Sequence, residues 1–325
     1  MRKPQLAHRE EDVWTGGPVL DPPRLLRDVN GAGGHVIAGG DVLLGLRPGA
    51  ENVGIRPDND DLLGTLIAVA AEQGPPWRFA VASAGGITLL GLPNGQKLTL
   101  TAEGEESDVT HMAWANLGKE KVLYIRWAGG TVGRLRLDLG TIEELHVMPM
   151  DAIASDRNGS LVMIAARCDA KDAHALWTPD GLRLEERPVA VTFDGGDPDV
   201  RVHLAVADTA IAYAVDGKGT HVSRGIDEDF VPCEGLTGGA LAFQGTTADA
   251  AIFGVSWNKI VCGIDRVDAK GAAQRIIEMG SDQADAPSIV AIQWDQSRHA
   301  LWGASPEVGL LRSNEPKAKK KRSVN

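Results

Sequence analysis

The same four-beat pattern restarts every 38 to 51 residues along this chain, and no other feature limits its folding so tightly. A short apolar strand rich in small residues comes first. A second apolar strand, a turn and two more short strands follow. The clearest unit runs from Asp151 to Val191. Its first strand covers Ala152 to Ala154, and the turn Arg157-Asn158-Gly159-Ser160 leads into Leu161 to Ala166. A polar loop precedes strand three, which ends at Thr178. Pro179-Asp180-Gly181 makes the next turn, and Leu182-Arg183-Leu184-Glu185 opens strand four. Asn-Gly and Asp-Gly suit these positions because both partners tolerate the positive φ of tight hairpins.

First strands of the same kind lie at Leu25 to Val29, Leu66 to Val69, Met112 to Trp114, Val202 to Val206, Ala240 to Phe243 and Ile289 to Trp294. The stretch from Leu62 to Glu72 also reads as a short helix, although Ile67-Ala68-Val69 suits an inner strand. The last unit has no fourth strand before the charged tail, while Asp12-Val13-Trp14-Thr15 is a strand with no place in the first unit. Four strands per unit at this period are the mark of a β-propeller. The expectation is therefore an all-β, seven-bladed β-propeller, closed by an N-terminal strand that completes the last blade. Residues 1–11 form an extension, 12–316 the propeller and 317–325 a basic disordered tail. Stacked β-sandwich domains are the competing architecture. Strand ends read from sequence slip by a few residues, so six or eight units fit as well.

Forty-three per cent hydrophobic residues are enough for a buried core, and 39 glycines serve the many turns. No apolar run approaches the ~20 residues of a membrane helix. Met1-Arg2-Lys3-Pro4 lacks the apolar stretch of a secretory signal. Cys168, Cys233 and Cys262 are an odd count at unrelated spacings, read as reduced thiols packed in blades, with pairing of two across neighbouring blades as the rival. Both signs place the chain in the cytoplasm. Net charge is −11, yet the last nine residues hold five basic side chains and no acid, so the body alone carries −16. An acidic body disfavours a broad nucleic-acid surface and favours basic partners.

The tail, with Lys319, Lys320, Lys321 and Arg322, is a candidate contact for nucleic acid or an acidic partner. Acidic clusters at 58–61 and at Asp194, Asp197 and Asp199 fall where one unit hands over to the next and read as polar turns, and Asp194, Asp197 and Asp199 are candidate contacts for a partner. Six tryptophans sit on first or second strands, where packing between blades needs bulk. Trp127 and Trp257 end their second strands beside turn residues. They are the candidate binding anchors, with Asn258 and Lys259 beside them. No nucleophile motif, metal-ligand spacing or phosphate-binding loop stands out, so no cofactor is expected. A metal site at a channel mouth would need residues such as His203, Asp151 and His111.

Fragments such as Val109-Thr110-His111-Met112-Ala113-Trp114 and Leu176-Trp177-Thr178-Pro179-Asp180-Gly181 give the body a resemblance to the β-propeller superfamily. It is loosely similar to WD40-type repeats, without their Gly-His and Trp-Asp marks in the usual places. The resemblance implies a rigid platform for a protein or peptide partner. A minority of such rings are enzymes with a site at the channel mouth, which keeps a lactonase-like hydrolase as the alternative. A nucleic-acid-associated protein working through its tail is the third reading.

Overall fold

Every regular element of the computed structural model is a β-strand among the described residues. The longest stretches outside the described residues are 1–24, 27–36, 56–65, 101–108, 190–200, 281–288 and 315–325, with shorter ones between strands. The first sheet is β1 (Leu25–Leu26), β2 (Ile37–Gly39), β3 (Leu43–Gly45) and β4 (Val53–Ile55). The second is β5 (Leu66–Ala71), β6 (Phe79–Ser83), β7 (Gly86–Leu90) and β8 (Leu98–Leu100). The third is β9 (Val109–Leu117), β10 (Glu120–Trp127), β11 (Val132–Arg136) and β12 (Thr141–Leu145). The fourth is β13 (Ala152–Ser155), β14 (Leu161–Ala165), β15 (His174–Thr178) and β16 (Glu185–Pro188). The fifth is β17 (Val202–Ala207), β18 (Ala210–Val215), β19 (Gly219–Ser223) and β20 (Val231–Pro232). The sixth is β21 (Leu241–Phe243), β22 (Ile252–Trp257), β23 (Val261–Val267) and β24 (Ala273–Gly280). The last has three strands among the described residues: β25 (Ala291–Asp295), β26 (Ala300–Ser305) and β27 (Gly309–Asn314).

Within each sheet every strand pairs antiparallel with the next in the chain. First strands of successive sheets lie side by side, β5 by β9, β9 by β13, β13 by β17, β17 by β21 and β21 by β25. β1 touches β5 on one side and β25 and β26 on the other. This is a meander of sheets that fits a propeller. The stretch that reads equally as helix or strand is β5, whose Ala68 and Ala70 are buried. The strand Asp12 to Thr15, expected to complete the last sheet, lies outside the described residues.

The reading of the fourth unit needs one correction. Strand four was expected to open at Leu182, but β16 begins at Glu185. The cause is local. The Asp180 carboxylate accepts the Leu182 amide at 2.9 Å, the Thr178 hydroxyl accepts the Gly181 amide at 2.8 Å, and Gly181 adopts φ +70°. These bonds wind 180–182 into a turn, so Leu182 cannot join the ladder.

The core sits between sheets. On the first strands, side-chain size alternates with direction. β9 turns Ala113 and Ala115 toward the fourth sheet, and Met112 and Trp114 toward the second. β17 turns Ala205 and Ala207 toward the sixth sheet and Val202 toward the fourth. β21 turns Ala242 toward the last sheet, and Leu241 and Phe243 toward the fifth. These three first strands thus offer alanines to the sheet that follows and bulk to the one before. Period-two alternation makes this possible in a single strand. Ala115 and Ala212 have no solvent exposure, so neither position has room for a larger side chain. Ala115→Leu is expected to destabilise the fold by roughly 1–3 kcal/mol. Trp114→Ala, which empties the opposite face, is expected to cost about 3–5 kcal/mol. Urea unfolding followed by far-UV circular dichroism measures both.

Candidate interaction face

Asn116 is an amide near the end of the first strand β9, and it ties the third sheet to the fourth. Its Nδ2 donates to the Asn158 carbonyl at 2.8 Å and to the Pro179 carbonyl at 3.0 Å. Its backbone amide donates to Gly159 O at 2.8 Å, and the Gly118 amide donates to Asp180 O at 2.7 Å. Tyr124, fully buried on β10, donates its hydroxyl to the Asn116 carbonyl at 3.2 Å. Two turns of the fourth sheet are therefore held by one hairpin of the third. Both turns need glycine. Gly159 and Gly181 have φ of +85° and +70°, and a side chain on either would run into Asn116.

This staple fixes the segment that carries Leu182 and Leu184. They are 66% and 45% exposed, although both are large and apolar. The other exposed large hydrophobic residues are Ile142 on β12 and Val231 on β20, among the described residues. All four lie on, or just before, the outermost strand of the third, fourth or fifth sheet. Arg187 on β16 is buried and donates to Ser223 Oγ on β19 at 3.1 Å, joining the fourth sheet to the fifth. Burial lowers the guanidinium pKa, against the pull of Glu185, Asp227 and Glu228.

Of the residues singled out in sequence, Trp127 is described with its side chain. It ends β10, is half-buried and packs against the cluster between the second and third sheets. Trp257 ends β22 and pairs with Cys262, but its side chain lies outside the described residues. Asn258, Lys259, Asp194, Asp197, Asp199, Lys319, Lys320, Lys321 and Arg322 also lie outside them. The three metal-site residues are occupied separately. His203 Nε2 sits 2.8 Å from Asp216 Oδ1, Asp151 accepts the Ala166 amide at 2.7 Å, and His111 Nδ1 lies 3.2 Å from Thr110 Oγ1. No three His, Cys, Asp or Glu side chains come together as metal ligands among the described residues. Cys233 and Cys262 are buried in different clusters and share no disulfide. No helix among the described residues is long and apolar enough to cross a membrane.

No family model matches the chain, and no curated protein matches it in sequence. Solved structures do match its shape. The extracellular domain of a hybrid two-component system from B. thetaiotaomicron superposes with a TM-score of 0.63 at 13% identity over 94% of this chain. The GH74 enzyme of Niastella koreensis gives 0.63 at 14% over 90%, and the WD40 repeats of RRP9 give 0.62 at 10% over 91%. This chain spans 40% and 43% of the first two proteins and 96% of the third. Together with the four-stranded antiparallel sheets, these likenesses show a β-propeller fold. They include WD40 rings and an enzyme, so they carry the fold and no activity.

One buried acid gives the stapled turn a pH response. Asp156 is buried; its Oδ1 accepts the Ser160 amide at 2.7 Å and its Oδ2 has no partner. Desolvation raises its pKa above the usual aspartate value, against the opposing hydrogen bonds. A raised folded-state pKa means that ionisation costs the folded state. This contribution to stability is full below the ordinary aspartate value and is lost as pH rises through the raised one. The stability difference between Asp156→Asn and the parent is therefore expected to move in favour of the variant between pH 3.5 and pH 7. Urea unfolding of both proteins at each pH measures it, and a constant difference contradicts the assignment.

Proposed function

We propose that the chain is a non-enzymatic propeller platform that binds a protein or peptide partner. The observation that carries this is the pair Leu182 and Leu184, exposed yet held by bonded turns in a defined position. Exposed apolar groups on a pre-ordered segment lose little freedom on binding, which is what makes a docking contact productive. The WD40 repeats among the structural neighbours support the reading at the level of fold. On this reading the sheets are the blades of a seven-bladed ring, closed by residues 12–15 beside β27, in which the basic residues 319–322 add a second, electrostatic contact.

Wild type and the double variant Leu182→Asp/Leu184→Asp, used side by side as affinity baits, test the contact. A protein retained by wild type and lost by the variant, at equal melting temperature, is the expected result. Identical sets of retained proteins would remove the reading. Closure has its own test. Removing residues 1–15 is expected to lower the melting temperature by at least about 5 °C, whereas removing residues 317–325 leaves it unchanged. Calorimetry of the two truncated chains decides it.

A further inference from the structure

The outermost strand of a sheet has one unpaired backbone edge, and proteins blunt such edges with proline, bulges, paired charges or extreme shortness. Most described outer strands of this chain are very short, end in proline or carry a bulge. β4 and β8 have three residues each. β16 ends at Pro188, and β20 has two residues and ends at Pro232. β24 pairs through a register shift between Ile264 and Asp265, and its Arg275 is bound to Asp265. β27 is the strand beside which residues 12–15 are proposed to lie. β12 is neither very short nor bulged and has no proline; its one device is the cross-strand pair of Glu143 with Arg134. It is five residues long and pairs with β11 in unbroken register from Val132–Leu145 to Arg136–Thr141.

Its surface is specific as well as open. Thr141, Ile142, Glu143 and Glu144 are all exposed, with Ile142 at 42%. Glu143 accepts a hydrogen bond from Arg134 Nε at 2.8 Å, which orders its carboxylate and lowers its pKa. Alternation puts Ile142 and Glu144 on the opposite face from Glu143. Glu144 pairs with Gly133, and the Trp127 ring fills the space where a Gly133 side chain would stand. Ile142, Glu144 and the half-buried indole of Trp127 therefore share one face of the sheet.

We propose that β12 accepts a strand from a protein partner, and that this strand carries two adjacent basic residues flanked by apolar ones. The proposal rests on the platform reading above and names the partner's chemistry. Backbone hydrogen bonds to the free edge supply a sequence-independent part of the affinity. Lysine or arginine opposite Glu143 and Glu144 selects the partner, because directly opposed opposite charges stabilise a strand pair and like charges repel. An apolar side chain opposite Ile142 completes the face. The acidic body of the chain favours the approach of such a segment.

The test uses the full chain and a fluorescein-labelled Thr-Val-Lys-Lys-Val-Thr peptide, whose central pattern reads the same in either strand direction. A saturable rise in anisotropy is expected, with affinity falling about tenfold or more from about 50 mM to about 300 mM salt. Glu144→Lys is expected to weaken binding about tenfold or more at an unchanged melting temperature. A Thr-Val-Glu-Glu-Val-Thr peptide is expected not to bind. Absence of binding by the basic peptide, equal binding of both peptides, or indifference to Glu144→Lys overturns the proposal. So does concentration-dependent dimerisation abolished by Glu144→Lys, which identifies a second copy as the occupant. If affinity baits retain a partner through Leu182 and Leu184 while the peptide fails, this inference falls and the platform reading stands. The converse result separates them in the other direction.

Discussion

Side-chain size alternating along the first strands is the constraint on which the rest of this structure depends. Because successive residues of a strand point to opposite faces, a first strand with alanine at every second position has one thin face and one thick one. Met112 and Trp114 fill the space left by Ala68, Ala70, Ala80 and Ala82 of the sheet before. Ile153, Leu161 and Met163 fill the space left by Ala113 and Ala115. Leu241, Phe243 and Ile252 do the same against Ala205, Ala207, Ala210, Ala212 and Ala214. At these seams the relation runs in the same sense, so each sheet involved specifies which neighbour lies on which side. A one-residue slip would bring alanine against alanine and leave a void, or bulk against bulk and force the sheets apart.

Close approach of the first strands has a further consequence, because it brings the turns of neighbouring sheets within hydrogen-bonding reach. Asn116 exploits this by bonding two turns of the next sheet at once, and glycines at 159 and 181 leave room for it. Polar bonds of this kind add little net stability individually, but they fix geometry. Here they hold an apolar turn in the open instead of letting it fold back onto the core. At the outer rim Arg187 bonds Ser223 across the next seam. Its Nε and Nη2 are buried without partners, so it joins the sheets at an energetic cost.

How much of this could be read from the residues varied with the range of the cause. The small apolar residues of the first strands, the Asn-Gly and Asp-Gly turns and the burial of Trp114, Trp294 and Trp302 follow from local pattern, and the structure places them as read. Leu182 was misread because an apolar-polar-apolar triplet after Asp-Gly has strand periodicity, while the carboxylate that winds it into a turn belongs to the turn itself. Asn116 gave no signal, since an amide near a strand end is unremarkable until two turns from another sheet arrive beside it. The open edge of β12 was equally hidden. Thr141-Ile142-Glu143-Glu144-Leu145 looks like any short strand, and only its place at the outside of the sheet leaves one backbone edge without a neighbouring strand among the described residues.

The order of residues by itself determined that the chain would form short antiparallel strands in repeating groups, with small apolar residues concentrated on the first strand of a group. Those properties depend on neighbours two to ten positions away, and the local chemistry of turns and strands is sufficient to set them. Tertiary structure alone decided which polar groups meet across a seam, which apolar residues stay in water and which strand ends up at an edge. Each of these depends on atoms supplied by a different sheet, some forty residues distant in the chain, and distance of that kind leaves no trace in local pattern.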